Sequence, residues 1–302
     1  MLDFIIFSFN RAMQLETLLS SIRRYWKKPV YNIVVIYNTS DNQFQRGYDI
    51  LIHDYPDFVF IKESVINSMW HIQDYFSVYN LKKMLRYKNQ RKQKTNFRDL
   101  LNVFLYKTGS TYTMFLTDDS VFIRDVELSD EDLSFINQDV DQCQISLRLG
   151  RNISRKPSAI KETEGKYKWN FHEYLNAKSW GYNFSVDAHI YATSLIRRVL
   201  KSVIFNNPTT LEANVVHYAR KHGIMDCGMA FEKPYILSYP LNMVQNIANN
   251  ESLGVSVEML NQSFLDGKRL SYVIPDIIRE FQQYPEQIVL SKNGNLEYII
   301  LK

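Results

Sequence analysis

Cysteine is nearly absent: Cys143 and Cys227 are the only two in 302 residues, too few for a disulfide scaffold and without metal-ligand spacing. That usage fits a reducing cytoplasm. Long apolar runs are missing as well. No stretch approaches the roughly 20 residues of a membrane span. The opening Met1-Leu-Asp-Phe-Ile-Ile-Phe-Ser-Phe-Asn10 has no basic leader and no signal-peptide core. Neither G-x-G-x-x-G nor a P-loop occurs, which argues against a Rossmann dinucleotide enzyme and a P-loop kinase. No G-x-S-x-G elbow or H-E-x-x-H helix is present. The expectation is a cytoplasmic protein, soluble or at most peripheral to the inner face of a membrane.

What is present is ordinary globular composition, 45% hydrophobic and 23% charged, with 20 Tyr and 18 Phe. Net charge is +4, but its distribution matters more. Lys82, Lys83, Arg86, Lys88, Arg91, Lys92, Lys94 and Arg98 fall in one segment without an acid, so the remainder of the chain is net negative. Such a run is a solvated helix face, or it attracts nucleic acid, an anionic membrane or a diphosphate.

The first half alternates strand and helix. Phe4–Phe9, Ile33–Tyr37, Phe58–Ile61 and Tyr112–Leu116 read as apolar strands. Arg11 to Trp26 places Leu15, Leu18, Leu19, Ile22 and Trp26 on one helical face, with Asn10 as its N-cap. Asp99 to Tyr106 reads as helix. This alternation implies a mostly parallel sheet covered on both faces. Later, Gln144–Arg148 and Phe184–Tyr191 read as strands, Ser194–Ser202 and Pro208–Gly223 as helices, and Asn152–Trp180 as a long loop. Beyond Pro240 the pattern gives helices near Ser256–Leu265 and Ser271–Gln283, then a hairpin at Asn293-Gly294.

Candidate chemistry begins with Tyr112-Thr-Met-Phe-Leu-Thr-Asp-Asp-Ser120, an apolar strand ending in Asp118 and Asp119. Adjacent carboxylates repel, and a divalent cation would relieve them. The alternative is an Asp-rich turn. Ser8-Phe-Asn-Arg11 stands where the first strand meets its helix, a position suited to phosphate, with Arg11 able to reach an anion. Thr209-Thr-Leu-Glu212 fits a capping box; a carboxylate there is also well placed as a general base. Asp187 and His189, two apart on the expected strand, share a face, as acceptor contacts or as a satisfied buried pair.

The order of these elements resembles a GT-A-fold, nucleotide-sugar-dependent glycosyltransferase, similar to family-2-like bacterial enzymes. The matching residues are Ser8-Phe-Asn-Arg11, Asn38-Thr-Ser-Asp41, Asn96-Phe-Arg98 and Phe115-Leu-Thr-Asp-Asp-Ser120. Further on, Phe184–Tyr191, Asn207–Glu212 and Asn242-Met-Val-Gln245 follow. The metal motif is Thr117-Asp118-Asp119 and not a literal Asp-x-Asp. Glu212 follows Asp119 by 93 residues, similar to the family's separation.

The resemblance implies an α/β fold: a GT-A-like, mostly parallel sheet flanked by helices, with a small C-terminal helical and hairpin appendage. It implies a catalytic domain over 1–240, with a nucleotide-binding half (1–120) and an acceptor half (121–240), and an appendage over 241–302. Ser8, Asn10, Arg11, Asn38, Arg98 and Asp118 would contact the nucleotide diphosphate. Asp119 with Asp118 would hold Mn²⁺ or Mg²⁺. Glu212, or in reserve Asp187, would act as base in an inverting, metal-dependent transfer of sugar to a hydroxyl. The acceptor would be a glycan or lipid-linked precursor in bacterial cell-surface polysaccharide synthesis. Nucleic acid is not expected as a partner. The rival readings are a nucleic-acid-binding protein or nuclease using 81–98, and a sugar nucleotidyltransferase, whose glycine-rich signature Ser8–Arg11 lacks.

Overall fold

The computed structural model describes residues 1–66, 95–154, 156–157, 160–244 and 252–301. The cations from Lys82 to Lys94, and Gln245, lie outside those residues.

Among the described residues, nine strands form the central sheet. In chain order they are β1 (Leu2–Phe9), β2 (Asn32–Asn38), β3 (Val59–Lys62), β4 (Tyr112–Thr117), β6 (Cys143–Ser146), β7 (Lys161–Thr163), β8 (Lys166–Asn170), β9 (His189–Ala192) and β10 (Cys227–Phe231). Their spatial order is β3-β2-β1-β4-β9-β6-β10-β8-β7. β9 and β8 run against the rest; the others share one direction. The mostly parallel sheet flanked by helices is thus present. Its centre follows from composition: Phe4, Ile5 and Ile6 of β1 and Met114, Phe115 and Leu116 of β4 are fully buried, as continuous apolar strands must be when both faces are covered.

The helices are α1 (Ala12–Tyr25), α2 (Asn42–Asp54), α3 (Phe97–Lys107), α4 (Asp130–Gln138), α5 (Thr193–Ser202), α6 (Pro208–His222) and α7 (Val257–Leu265). α1 presents Leu15, Leu18, Leu19 and Ile22 to the sheet, and Trp26 beyond its end meets Phe4 edge-to-face at 4.7 Å. Replacing Leu15 by Ala there would cost about 2–5 kcal/mol, because the well-packed site cannot collapse around the cavity. β5 (Ser120–Phe122) leaves the sheet after Asp119 and pairs antiparallel with β11 (Ile236–Ser238). A small sheet of β12 (Arg269–Ser271), β13 (Gln287–Lys292) and β14 (Asn295–Ile300) closes the chain. Leu260, Phe264, Leu270, Ile288 and Leu290 of this last part join the same hydrophobic core as α1 and β1. No described helix is long and apolar enough to cross a membrane.

Four local expectations are corrected. Asn152–Trp180 is not a structureless loop: β7 and β8 form a hairpin, turned by Glu164 (φ 52°) and Gly165 (φ 72°), that adds to β10. Tyr167 and Trp169 are buried between exposed or half-buried neighbours, so the signal was a period-two alternation in Lys166-Tyr-Lys-Trp. The strand expected over 184–191 begins only at His189, since Ala188 takes a left-handed φ of 57°. Asp187 and His189 therefore do not share a face by strand alternation. No helix spans 271–283; Pro275 lacks an N–H and disfavours helical geometry at Ile274. Asn10 is not a cap either. It has φ 58°, and α1 starts without a side-chain cap. The Asn293-Gly294 hairpin is as expected, with φ 50° and 83° at its two turn residues.

Candidate active site

Because β1, β2, β4, β6 and β10 point the same way, the loops after them meet at one edge, where open α/β sheets bind ligands. On the β1–β4 side the centre is Arg11. Its Nη1 donates to Asp118 Oδ1 at 2.9 Å and lies 3.6 Å from Asp119 Oδ2. Its Nε donates to Asn242 Oδ1 at 2.7 Å, and Nη2 donates to the Asn242 carbonyl. Asp118 Oδ2 accepts from the Ser8 hydroxyl (2.8 Å) and the Phe9 N–H (3.2 Å). With its proton on Asp118, Ser8 receives the Tyr48 hydroxyl at 2.6 Å. Burial pushes the Asp118 carboxyl up against the pull of Arg11. Three donors on its two oxygens are nonetheless the surroundings of a carboxylate, and Asp118–Arg11 is a buried ion pair.

Asp119 is placed differently. Its Oδ1 accepts from the Thr117 hydroxyl at 2.8 Å, its carbonyl from the Tyr239 N–H at 2.8 Å, and its side chain is 16% exposed. Among the described residues, Oδ2 has only the Arg11 contact at 3.6 Å. Asn10 ties the first two strand ends together: Oδ1 accepts the Ser40 N–H (2.9 Å) and Nδ2 donates to Ser40 Oγ (3.0 Å). Asn38 Oδ1 accepts the Thr39 N–H at 2.8 Å. Arg98, in the first turn of α3, is buried with its guanidinium 5.6 Å from the Phe205 ring centroid.

On the other half, Asp187 Oδ1 accepts from Ser120 Oγ at 2.6 Å, and Oδ2 lies 3.5 Å from Arg148 Nη1. Burial raises the Asp187 carboxyl, Arg148 and Ser120 oppose that, and Asp119 adds to it. Glu212 is not the capping residue that Thr209-Thr-Leu-Glu212 suggested. The box is set two residues earlier: Asn207 Oδ1 accepts the Thr210 N–H at 2.8 Å, Thr210 Oγ1 accepts the Asn207 N–H at 3.2 Å, and Pro208 opens the helix. Glu212 is thereby left to accept the Val186 N–H at 3.1 Å beside Asp187. Burial raises this carboxyl too, opposed by Arg148 and Ser185.

His189 is neutral. Its Nδ1 meets Gln144 Oε1 at 2.9 Å. Gln144 spends its amide nitrogen on the carbonyls of Asn183 and Met225, so its oxygen faces the ring and the imidazole proton is on Nδ1. Full burial, with Arg148 nearby, lowers the His189 pKa well below its ordinary value.

The edge therefore gathers Arg11, Asp118 and Asp119 on one side and Asp187, Glu212 and Arg148 on the other. Arg148, Thr117, Ser120 and Tyr48 escaped the sequence reading as site residues. For Arg148 the signal was a lone cation closing the alternating, strand-like Gln144-Ile-Ser-Leu run. Among the described residues no group of three or more His, Cys, Asp or Glu side chains is arranged to hold a metal.

The chain is similar in sequence to a curated glycosyltransferase. No family model matches. The bifunctional glycosyltransferase pgtA of Dictyostelium discoideum is 22% identical over 310 residues, covering 88% of this chain. The chain spans only 36% of that relative's length. Structures of S. aureus TarS, and of its 1–349 portion in complex with UDP, each align over 78% of the chain. Their TM-scores are 0.42, at 12% and 15% identity.

Proposed function

We propose that this chain is a glycosyltransferase that moves a sugar from a nucleotide diphosphate donor to a hydroxyl acceptor with inversion. The observation that carries the reading is the shared sheet edge: a fixed cation and an open carboxylate, Arg11 and Asp119, on one half, and Asp187 and Glu212 around Arg148 on the other. The similarity to a curated glycosyltransferase supports it.

In this reading Arg11, held by Asp118 and Asn242, presents fixed positive charge to the diphosphate at no reorganisation cost. Mg²⁺ and Mn²⁺ sites on nucleotides commonly use one or two carboxylates plus phosphate oxygens. Asp119, with an open oxygen, fits that donor set. Asp118, with both oxygens engaged, serves as the internal anchor of Arg11. When bound, the ion supplies neutralisation of charge growing on the leaving diphosphate. Glu212 takes the acceptor proton; its raised affinity for protons suits a general base, and its tether to Val186 fixes its direction. Asp187 and Arg148 set the charge around it. The acceptor is a glycan or lipid-linked hydroxyl.

The test is a thermal-shift screen of uridine and guanosine diphosphates and their sugars, with and without Mn²⁺, followed by product analysis on the binding donor. Stabilisation by a nucleotide diphosphate is expected. Stabilisation only by oligonucleotide, strongly salt-dependent, would instead favour the nucleic-acid reading.

A further inference from the structure

Two hydroxyl groups bridge the halves of the site. Thr117 Oγ1 lies 2.8 Å from Asp119 Oδ1, Ser120 Oγ lies 2.6 Å from Asp187 Oδ1, and the two hydroxyl oxygens are 3.2 Å apart. Ser120 is fully buried and Asp187 nearly so. These are three oxygen–oxygen contacts served by two hydroxyl protons. With both carboxylates ionised, each hydroxyl points outward to its own carboxylate, and the middle contact has no proton. It is the longest of the three. A third proton, placed on Asp187, completes the row: Asp187 donates to Ser120, Ser120 to Thr117, and Thr117 to Asp119. Every contact then carries one proton, and the chain runs in a single direction toward the ionised Asp119.

We propose that Thr117 and Ser120 form a hydroxyl relay through which the charge on Asp119 sets the protonation of Asp187. An ionised Asp119 is a strong terminal acceptor and favours the completed chain, which strengthens the hold of Asp187 on a proton. Engagement or neutralisation of Asp119 weakens that terminus, and Asp187 releases it. The charged groups that face Asp187 are Arg148 from the end of β6, Glu212 from α6 and Asp119 from the turn after β4. Loss of the proton from Asp187 gives Arg148 a full carboxylate partner. Thr117 and Ser120 are positioning residues, since they act through the two aspartates. In transfer this would report occupancy of the donor side to the acceptor side; that consequence rests on the function proposed above, whereas the coupling itself does not.

The test uses the ligand-free full chain with ¹³C-carboxyl-labelled aspartate, the Asp187 resonance being assigned with D187N. Its midpoint is followed with pH in wild type, D119N, S120A and the double variant. D119N is expected to lower the Asp187 midpoint by about one pH unit, and in the S120A background by less than half as much. T117V repeats the cycle with a near-isosteric side chain should S120A fold poorly. An equal shift in both backgrounds would mean that the field acts through space, and would overturn the relay. So would no shift in wild type, or no titration of Asp187 over the range in which the fold persists. Failure of every nucleotide to bind would count against the transferase reading while leaving this result standing.

Discussion

The two halves of the site are built on opposite terms. Around Arg11 the bonds of the charged groups are closed: Asp118 accepts three donors, and Asn242 accepts two from the guanidinium and one from Gln14, the buried atoms there without a partner among the described residues being the neutral amide atoms Gln14 Oε1 and Asn242 Nδ2. Around Arg148 they are open. Arg148 Nε, His189 Nε2 and Ser146 Oγ are all buried without a hydrogen-bond partner among the described residues, and Ser146 is the register partner of His189 across β6 and β9. Buried polar atoms are rarely left so unless water or a ligand completes them. In the function proposed above, the contrast sets a fixed cation on the nucleotide side against a less fully bonded one on the acceptor side.

The largest expected effect breaks the closed half. Arg11→Met strands Asp118 as an unpaired buried carboxylate and should cost about 3–5 kcal/mol in chemical denaturation. A loss below about 1 kcal/mol would show that the ion pair is not buried as described. On the open half the larger effect should appear in rate. Glu212→Gln should lower turnover on an identified donor by about 10²–10⁴-fold, with a smaller loss for Asp187→Asn. The reverse ranking would make Asp187 the base.

The next effect is in pH. Asp187 and Glu212 both sit above their ordinary values in the fold, so between the unfolded and folded pKa the native state binds more protons than the unfolded one. Stability from these groups is therefore present at the acid end of that window and lost as pH rises through it. Glu212→Gln should flatten the dependence upward from the unfolded carboxylate value near 4.3, as read in denaturation midpoints. A slope unchanged by the substitution would contradict the raised value. The smallest effect checks why Glu212 is free. Asn207→Ala should cost about 1 kcal/mol in chemical denaturation as loss of the true cap, and a loss near zero would contradict that cap.

Much of this was legible in the sequence, for identifiable reasons. β1, β2 and β4 are buried on both faces, so their apolar runs were continuous and their ends placed Arg11, Asn38 and Asp119 on one edge. The α6 start was visible in Pro208, yet its cap was misplaced because Asn207/Thr210 and Thr209/Glu212 offer overlapping boxes, and only packing chooses between them. Asp118 and Asp119 look alike in one dimension. Their separation into an anchor and an open carboxylate depends on where Arg11 folds back. Arg148 could not be assigned because its partners, Asp187 and Glu212, lie 39 and 64 positions away along the chain. The β7–β8 hairpin was missed although its alternation was present, since three- and five-residue strands give a weak period.

In the proposed function Asp119, and not Asp118, faces the diphosphate of a nucleotide donor. Titration of nucleoside diphosphates into wild type and D119N with and without Mn²⁺, followed by calorimetry, separates the two aspartates. Binding in wild type that strengthens with Mn²⁺, and loses that dependence in a folded D119N, is the predicted result. Binding of equal strength and equal Mn²⁺ dependence in both proteins would contradict the account.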